Sequence, residues 1–160
     1  GLYVNQGAEK VVFATVAVSL RPQPKIEMYF ENTSDVNRIE LGVIIKSALN
    51  NDQVNKIASS ISGMTAIPWD YVTFLAEGHT VGFQTGVNEK FNFGILTNKL
   101  KVLPEVKLPE YRESNTTFLW VVPISSRERA EMIESGVEGV LAKLDDIGEE
   151  IFSLNREEVV

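Results

Sequence analysis

Residues 38–46 carry the pattern that most limits how this chain can fold. Ile39, Leu41, Val43 and Ile45 alternate along one face of an extended segment, and Ile44 is apolar on the other. A strand apolar on both faces must be covered on both faces, so it belongs at the centre of a sheet with a layer above and a layer below. Residues 116–122, a second β-prone apolar run, predict another buried strand. At 160 residues, with 44% apolar and 23% charged residues, the chain is long enough to cover such a sheet as one domain over 1–160.

The flanking segments fill in the layers. Residues 11–20 are rich in Val, Thr and Phe and stop at Arg21-Pro22-Gln23-Pro24, which predicts a strand ended by prolines. Ile26, Met28 and Phe30 alternate with Glu27, Tyr29 and Glu31, the period of a half-buried strand. Asn32-Thr33-Ser34-Asp35 is a turn cluster. Asn50, Asn51 and Asp52 offer helix-capping oxygens before Val54, Ile57, Ala58 and Ile61, whose spacing predicts an amphipathic helix ending near Gly63.

Residues 80–83 and 91–96 read as strands around a turn at Gly86-Val87-Asn88, and 101–112 as an extended connector. Pro123 is expected to end the 116–122 strand. Ser125 and Glu128 then have capping-box spacing and open a helix, closed by Gly136. Val137, Val140, Leu141 and Leu144 form the buried face of a last helix. The order predicts an α+β or α/β fold: a mixed, largely antiparallel central sheet packed with helices.

The inventory of reactive groups argues against catalysis. No cysteine is present, and His79 is the single histidine, so disulfides, thiolate metal sites and multi-histidine metal sites are excluded. There is no Gly-x-Ser-x-Gly elbow and no phosphate-binding glycine loop. No catalytic residue, metal or cofactor is expected. Sequons at Asn32 and Asn115 are read as chance matches. No stretch reads as a signal peptide or a membrane span, so a cytoplasmic location is expected.

Two features point outward. Net charge is −7, and residues 126–160 hold ten acids against four bases. That end repels phosphate backbones, so no nucleic-acid partner is expected. It is either a solvated helix face or an acidic surface that steers a basic protein partner, with Glu134 and Glu138 facing solvent. Residues 69–80 gather Trp69, Tyr71, Phe74, Glu77, Gly78 and His79. These aromatics either fill core gaps or line a shallow pocket for a partner peptide. His79 is expected to be mostly buried and hydrogen-bonded, pinning this segment to the sheet.

Several segments together resemble the suppressor of fused family in its bacterial single-domain form. Ala14-Thr15-Val16-Ala17-Val18-Ser19 is similar to its early Thr-x-Gly-Met-Ser strand, and Arg38-Ile39-Glu40-Leu41-Gly42 to its Glu-Leu strand. Glu77-Gly78-His79-Thr80-Val81 resembles its Gly-His-Thr-Ile signature, and 118–124 its strand ending in Val-Pro-Ile. Gly136-Val137-Glu138-Gly139-Val140-Leu141 with Asp145 resembles its late helix, and the end from Asn155-Arg156 its terminal tail. Ala17 stands where the family has Gly, Phe74 where Trp is frequent, and Glu157-Glu158 replaces a proline-containing tail.

The resemblance implies a protein-binding module without enzymatic activity. Animal members restrain zinc-finger transcription factors of Hedgehog signalling by holding a peptide as an added strand. Bacterial relatives beside polymorphic toxins imply an immunity protein that binds and neutralises a partner toxin, here a basic toxin domain. The alternatives are an enzyme or small-ligand protein with a pocket around His79, or one domain of a longer regulatory protein.

Overall fold

The structure, a computed structural model, describes residues 1–7, 9–33, 37–108 and 115–160. Six strands form one sheet in the order β1-β2-β3-β6-β5-β4. They are β1 (Leu2–Gln6), β2 (Val11–Thr15), β3 (Arg38–Ile45), β4 (Thr80–Gly82), β5 (Phe93–Thr97) and β6 (Thr116–Ile124). The β3–β6 pair is parallel and every other pair antiparallel, so the sheet is mixed and largely antiparallel as expected. Three helices cover it: α1 (Asn51–Asp70), α2 (Ser126–Ser135) and α3 (Val137–Asp146).

β3 behaves as its sequence requires, with all eight residues buried. Ile39, Leu41, Val43 and Ile45 pack with Ile57, Ile61 and Met64 of α1. Ile44 packs on the opposite face with Trp120, Val122, Leu141 and Leu144. Gly42 is needed for that second layer: a Cβ there would lie 2.6–2.7 Å from the rings of Phe118 and Trp120.

Four expectations need correction. Residues 26–31 form no strand but a 3₁₀ turn, Ile26–Met28, entered through Lys25 at φ +57°. Only Ile26 of its apolar residues is buried, while Met28 and Tyr29 are exposed. The 11–20 strand stops at Thr15, because Ala17 turns the chain at φ +71° into a second 3₁₀ turn, Val18–Leu20. Buried Glu40 holds that turn: its carboxylate accepts from the Thr15 hydroxyl at 2.5 Å and from the Ser19 N–H and hydroxyl at 3.0 and 2.8 Å. Such side-chain bonds to the backbone compete with ladder pairing.

α1 runs through Gly63 and Pro68 to Asp70. Gly63 is exposed with open space about it, and tertiary burial of Met64 and Pro68 carries the helix past the weak spot. Finally, Pro123 lies inside β6, paired with Gly94. β6 loses its β3 neighbour after Trp120, so Pro123 sits where the strand has one partner and a missing N–H costs no ladder bond. The 101–112 connector and the turn at 32–35 fall partly outside the described residues.

The predicted capping box of Ser125 with Glu128 is present, and Asn50, one of the expected capping residues, forms a second box with Gln53. The Glu128 box extends into a buried ion pair. Arg156 donates from Nη1 and Nη2 to the two Glu128 oxygens at 2.6 and 2.9 Å, and from Nη2 to the Pro123 carbonyl at 3.0 Å. The Val159 N–H donates to Glu128 at 3.0 Å, and the guanidinium lies 4.4 Å from the Phe91 ring centre. Burial pushes the Glu128 carboxyl upward, but the Arg156 and backbone hydrogen bonds outweigh it and hold the group below the usual carboxylate range.

Candidate functional site

An aromatic shelf stands at the end of α1, on the face of the sheet that α1 covers. Trp69 occupies the last helical turn, half-buried, with the Arg21 guanidinium 5.2 Å from its ring centre. Tyr71 caps the helix and is 76% exposed. The chain then reverses through Val72 at φ +51°, a left-handed conformation that β-branched residues avoid. Thr73 N–H closes the reversal onto the Pro68 carbonyl at 2.9 Å.

The next residue, Phe74, is the hub of the shelf. Its ring centre lies 5.0 Å from Tyr29, 5.5 Å from Phe30 and 5.2 Å from His79. The two segments that supply these rings are tied by buried Gln23. Its amide accepts from the Leu75 N–H at 2.7 Å and donates to the Leu75 carbonyl at 2.9 Å. This clamp joins residues 52 apart in the chain, and no spacing rule could have found it. The exposure of Met28 and Tyr29 follows from it, since the 26–30 turn rests on Phe74 rather than joining the sheet.

The other residues singled out from sequence divide sharply. Glu77 accepts from the Thr97 hydroxyl at 2.5 Å and from the Asn98 N–H at 3.0 Å, so its carboxylate ties the loop to the end of β5. Gly78, at φ +82°, donates its N–H to the Leu96 carbonyl at 2.8 Å. His79 differs from expectation: it is half-buried, and among the described residues its ring packs on Phe74 without a side-chain hydrogen bond. Its backbone, through the Leu96 N–H at 2.9 Å, does the pinning instead.

Glu134 and Glu138 lie on α2 and α3, whose buried residues pack on the opposite face of the sheet. The structure therefore does not bring them together with the shelf. The acidic third is also less bare than its composition implies. Among the described residues, six of its ten acids meet a cation: Glu128, Glu138, Asp145, Glu149, Glu150 and Glu157. Lys10 and Lys101 hold the carboxyls of Glu149 and Asp145 below their usual range by hydrogen bonding at 2.7 and 2.6 Å.

A polar cleft of about 870 Å³ lies between Lys56 and Ser60 of α1 and the 83–92 loop, away from the shelf. A small hollow of about 140 Å³ is bordered by Leu75, Ala76 and Glu77. His79 lines neither. Among the described residues, no group of three acids or histidines is placed to hold a metal, and no helix is long and apolar enough to cross a membrane.

The family model for suppressor of fused protein matches residues 2–157. A suppressor of fused homolog from Neisseria gonorrhoeae FA 1090 has a similar fold, with a TM-score of 0.66 at 16% identity over 99% of this chain and 78% of that one. The crystal structure of the Sufu–Fu complex contains a chain that matches with a TM-score of 0.65 at 12% identity, covering 99% of this chain and 75% of that one. No curated protein matches the sequence.

Proposed function

The chain belongs to the suppressor of fused family, and from that premise we propose that it is a non-catalytic protein-binding module whose shelf receives the partner. One observation carries this reading: four rings, Tyr29, Phe30, Phe74 and His79, are gathered into one cluster, and two of them, Tyr29 and Phe30, are exposed rather than sealed in the core. Aromatic side chains supply large contact area at low entropic cost, and clustered exposure of them marks interaction sites. That a relative's structure is of a complex with Fu supports a binding role for the fold. The exposed charges that flank the shelf in sequence are Glu27, Glu31 and Asp70 against Arg21 and Lys25, a small acidic excess that favours an apolar partner segment with basic flanks.

The finer reading is an immunity-type protein that neutralises a basic toxin domain. It rests on the family's bacterial members and on the net charge of −7, which would attract a basic partner at long range while the shelf holds it. The test is affinity capture from the native cells and with the neighbouring gene's product, comparing the wild type with Tyr29→Ser/Tyr71→Ser. Loss of the captured protein in a variant that keeps its melting temperature is expected. Equal capture by both proteins would remove the shelf as the site. Failure of co-expression to relieve toxicity of that product would remove the immunity reading.

A further inference from the structure

We propose that β1 is a docking strand for a second copy of this chain, paired antiparallel about a twofold axis through Val4. This surface is at the opposite edge of the sheet from β4 and independent of the shelf.

The direction of the free backbone groups follows from the ladder. Gly1 and Val16 exchange both hydrogen bonds at 2.8 Å, and the Gly7 N–H donates to the Lys10 carbonyl at 2.9 Å. In an antiparallel ladder bonded and non-bonded pairs alternate, so Tyr3–Ala14 and Asn5–Val12 are the bonded pairs between these. The N–H and C=O groups of Leu2, Val4 and Gln6 therefore point away from β2. β1 is the outermost strand, and among the described residues they have no strand partner.

This set is self-complementary. A twofold axis through Val4 pairs Val4 with Val4 and Leu2 with Gln6 of the second copy, so all six outward groups on each strand find a partner. Leu2 and Val4 already lean on the α1-side core, and the pairing would extend that apolar stripe across the axis. Tyr3, 54% exposed, would face exposed Asn5 of the second copy at a non-bonded pair, where side chains approach closely.

The strand also lacks the devices that keep edges apart. It has no Lys, no Pro and no bulge, since its register with β2 is continuous. It carries no charged side chain, so no like charges stand directly opposite each other across the axis. The other edge is blunted: β4 has three residues, the backbone N–H of Gln84 just beyond it is taken by the Ser60 hydroxyl at 3.0 Å, and Arg129 covers Thr80 at 3.1 Å.

Sedimentation analysis over a concentration series up to about 1 mM, the range in which small interfaces assemble, tests this. The expected result is a mass rising from 17.8 kDa to twice that value. Val4→Pro removes one outward N–H and should return the protein to monomer. Tyr3→Lys/Asn5→Lys, at two exposed side chains, should do the same by placing lysines opposite lysines. Mixing it with Tyr3→Glu/Asn5→Glu should restore a dimer that neither variant forms alone. A wild type that stays at 17.8 kDa throughout overturns the proposal, as does a dimer that persists in the lysine variant.

Discussion

The shelf and the Glu128–Arg156 pair both tie together segments far apart in the chain, and they do so in opposite ways. The ion pair is sealed: Glu128 is 0% exposed, and its carboxylate receives both the guanidinium and two backbone N–H groups. No residue around it has unusual backbone geometry. The shelf hangs on one neutral clamp, Gln23, and leaves its rings half open. Two of the three non-glycine residues with positive φ among the described residues, Lys25 and Val72, lie in the segments that build it. Stability is thus concentrated at the chain's end, and strain with exposed apolar surface at the shelf. Binding surfaces are commonly drawn from such low-stability, strained regions.

The largest effect is expected at the sealed end. Arg156→Met leaves a buried carboxylate without its cation and should cost about 3–5 kcal/mol, read by calorimetric or denaturant unfolding. A loss under about 1 kcal/mol would show that the pair is not the stronger of the two ties. Its pH dependence has a definite sign. The Glu128 carboxyl is held below its unfolded value, so its contribution is complete above about pH 4.3 and is lost as pH falls through the lower folded value. Glu128→Gln should therefore flatten the acid limb of the stability profile and leave its slope above about pH 6 unchanged.

Gln23→Ala comes next. It strands the N–H and C=O of Leu75 and should cost about 2–3 kcal/mol, with faster amide exchange confined to residues 71–79. Exchange that quickens equally across β6 would mean that the shelf is not a separate unit. Smaller still, Val72→Gly and Ala17→Gly should each stabilise the protein by about 1 kcal/mol by relieving left-handed backbone at a residue with a Cβ. Ala17 is the position where the family's glycine was expected, and φ +71° supplies a conformational reason for that glycine. The smallest effect belongs to Tyr71→Ala, within about 0.5 kcal/mol in stability because the side chain is 76% exposed. A large loss would make Tyr71 part of the core and not of a binding surface.

What the sequence determined by itself is local or periodic. The two-faced pattern of 38–46 placed β3 at the centre, because alternation with period two admits one way to bury Ile39, Leu41, Val43 and Ile45 together with Ile44. The capping oxygen of Asn50 and the Ser125–Glu128 box started their helices, because a cap reaches only three residues along the chain. The order of elements around them was enough to read a mixed sheet between helical layers. The β1 strand escaped notice because Leu2 and Val4 are too few to make a pattern.

Only the tertiary structure decided the rest, because it depended on partners far off in the chain. Burial against the sheet carried α1 past Gly63, and the end of β3 pairing let β6 run on through Pro123. The alternation at 26–31 was genuine, but Lys25 and the contact of Tyr29 and Phe30 with Phe74 turned it into the wall of a shelf. Glu128 read as a capping residue and proved also to be half of an ion pair with Arg156, 28 residues on. A side chain's propensity and spacing are properties of its neighbours in sequence; which buried group it must satisfy is a property of the packed chain.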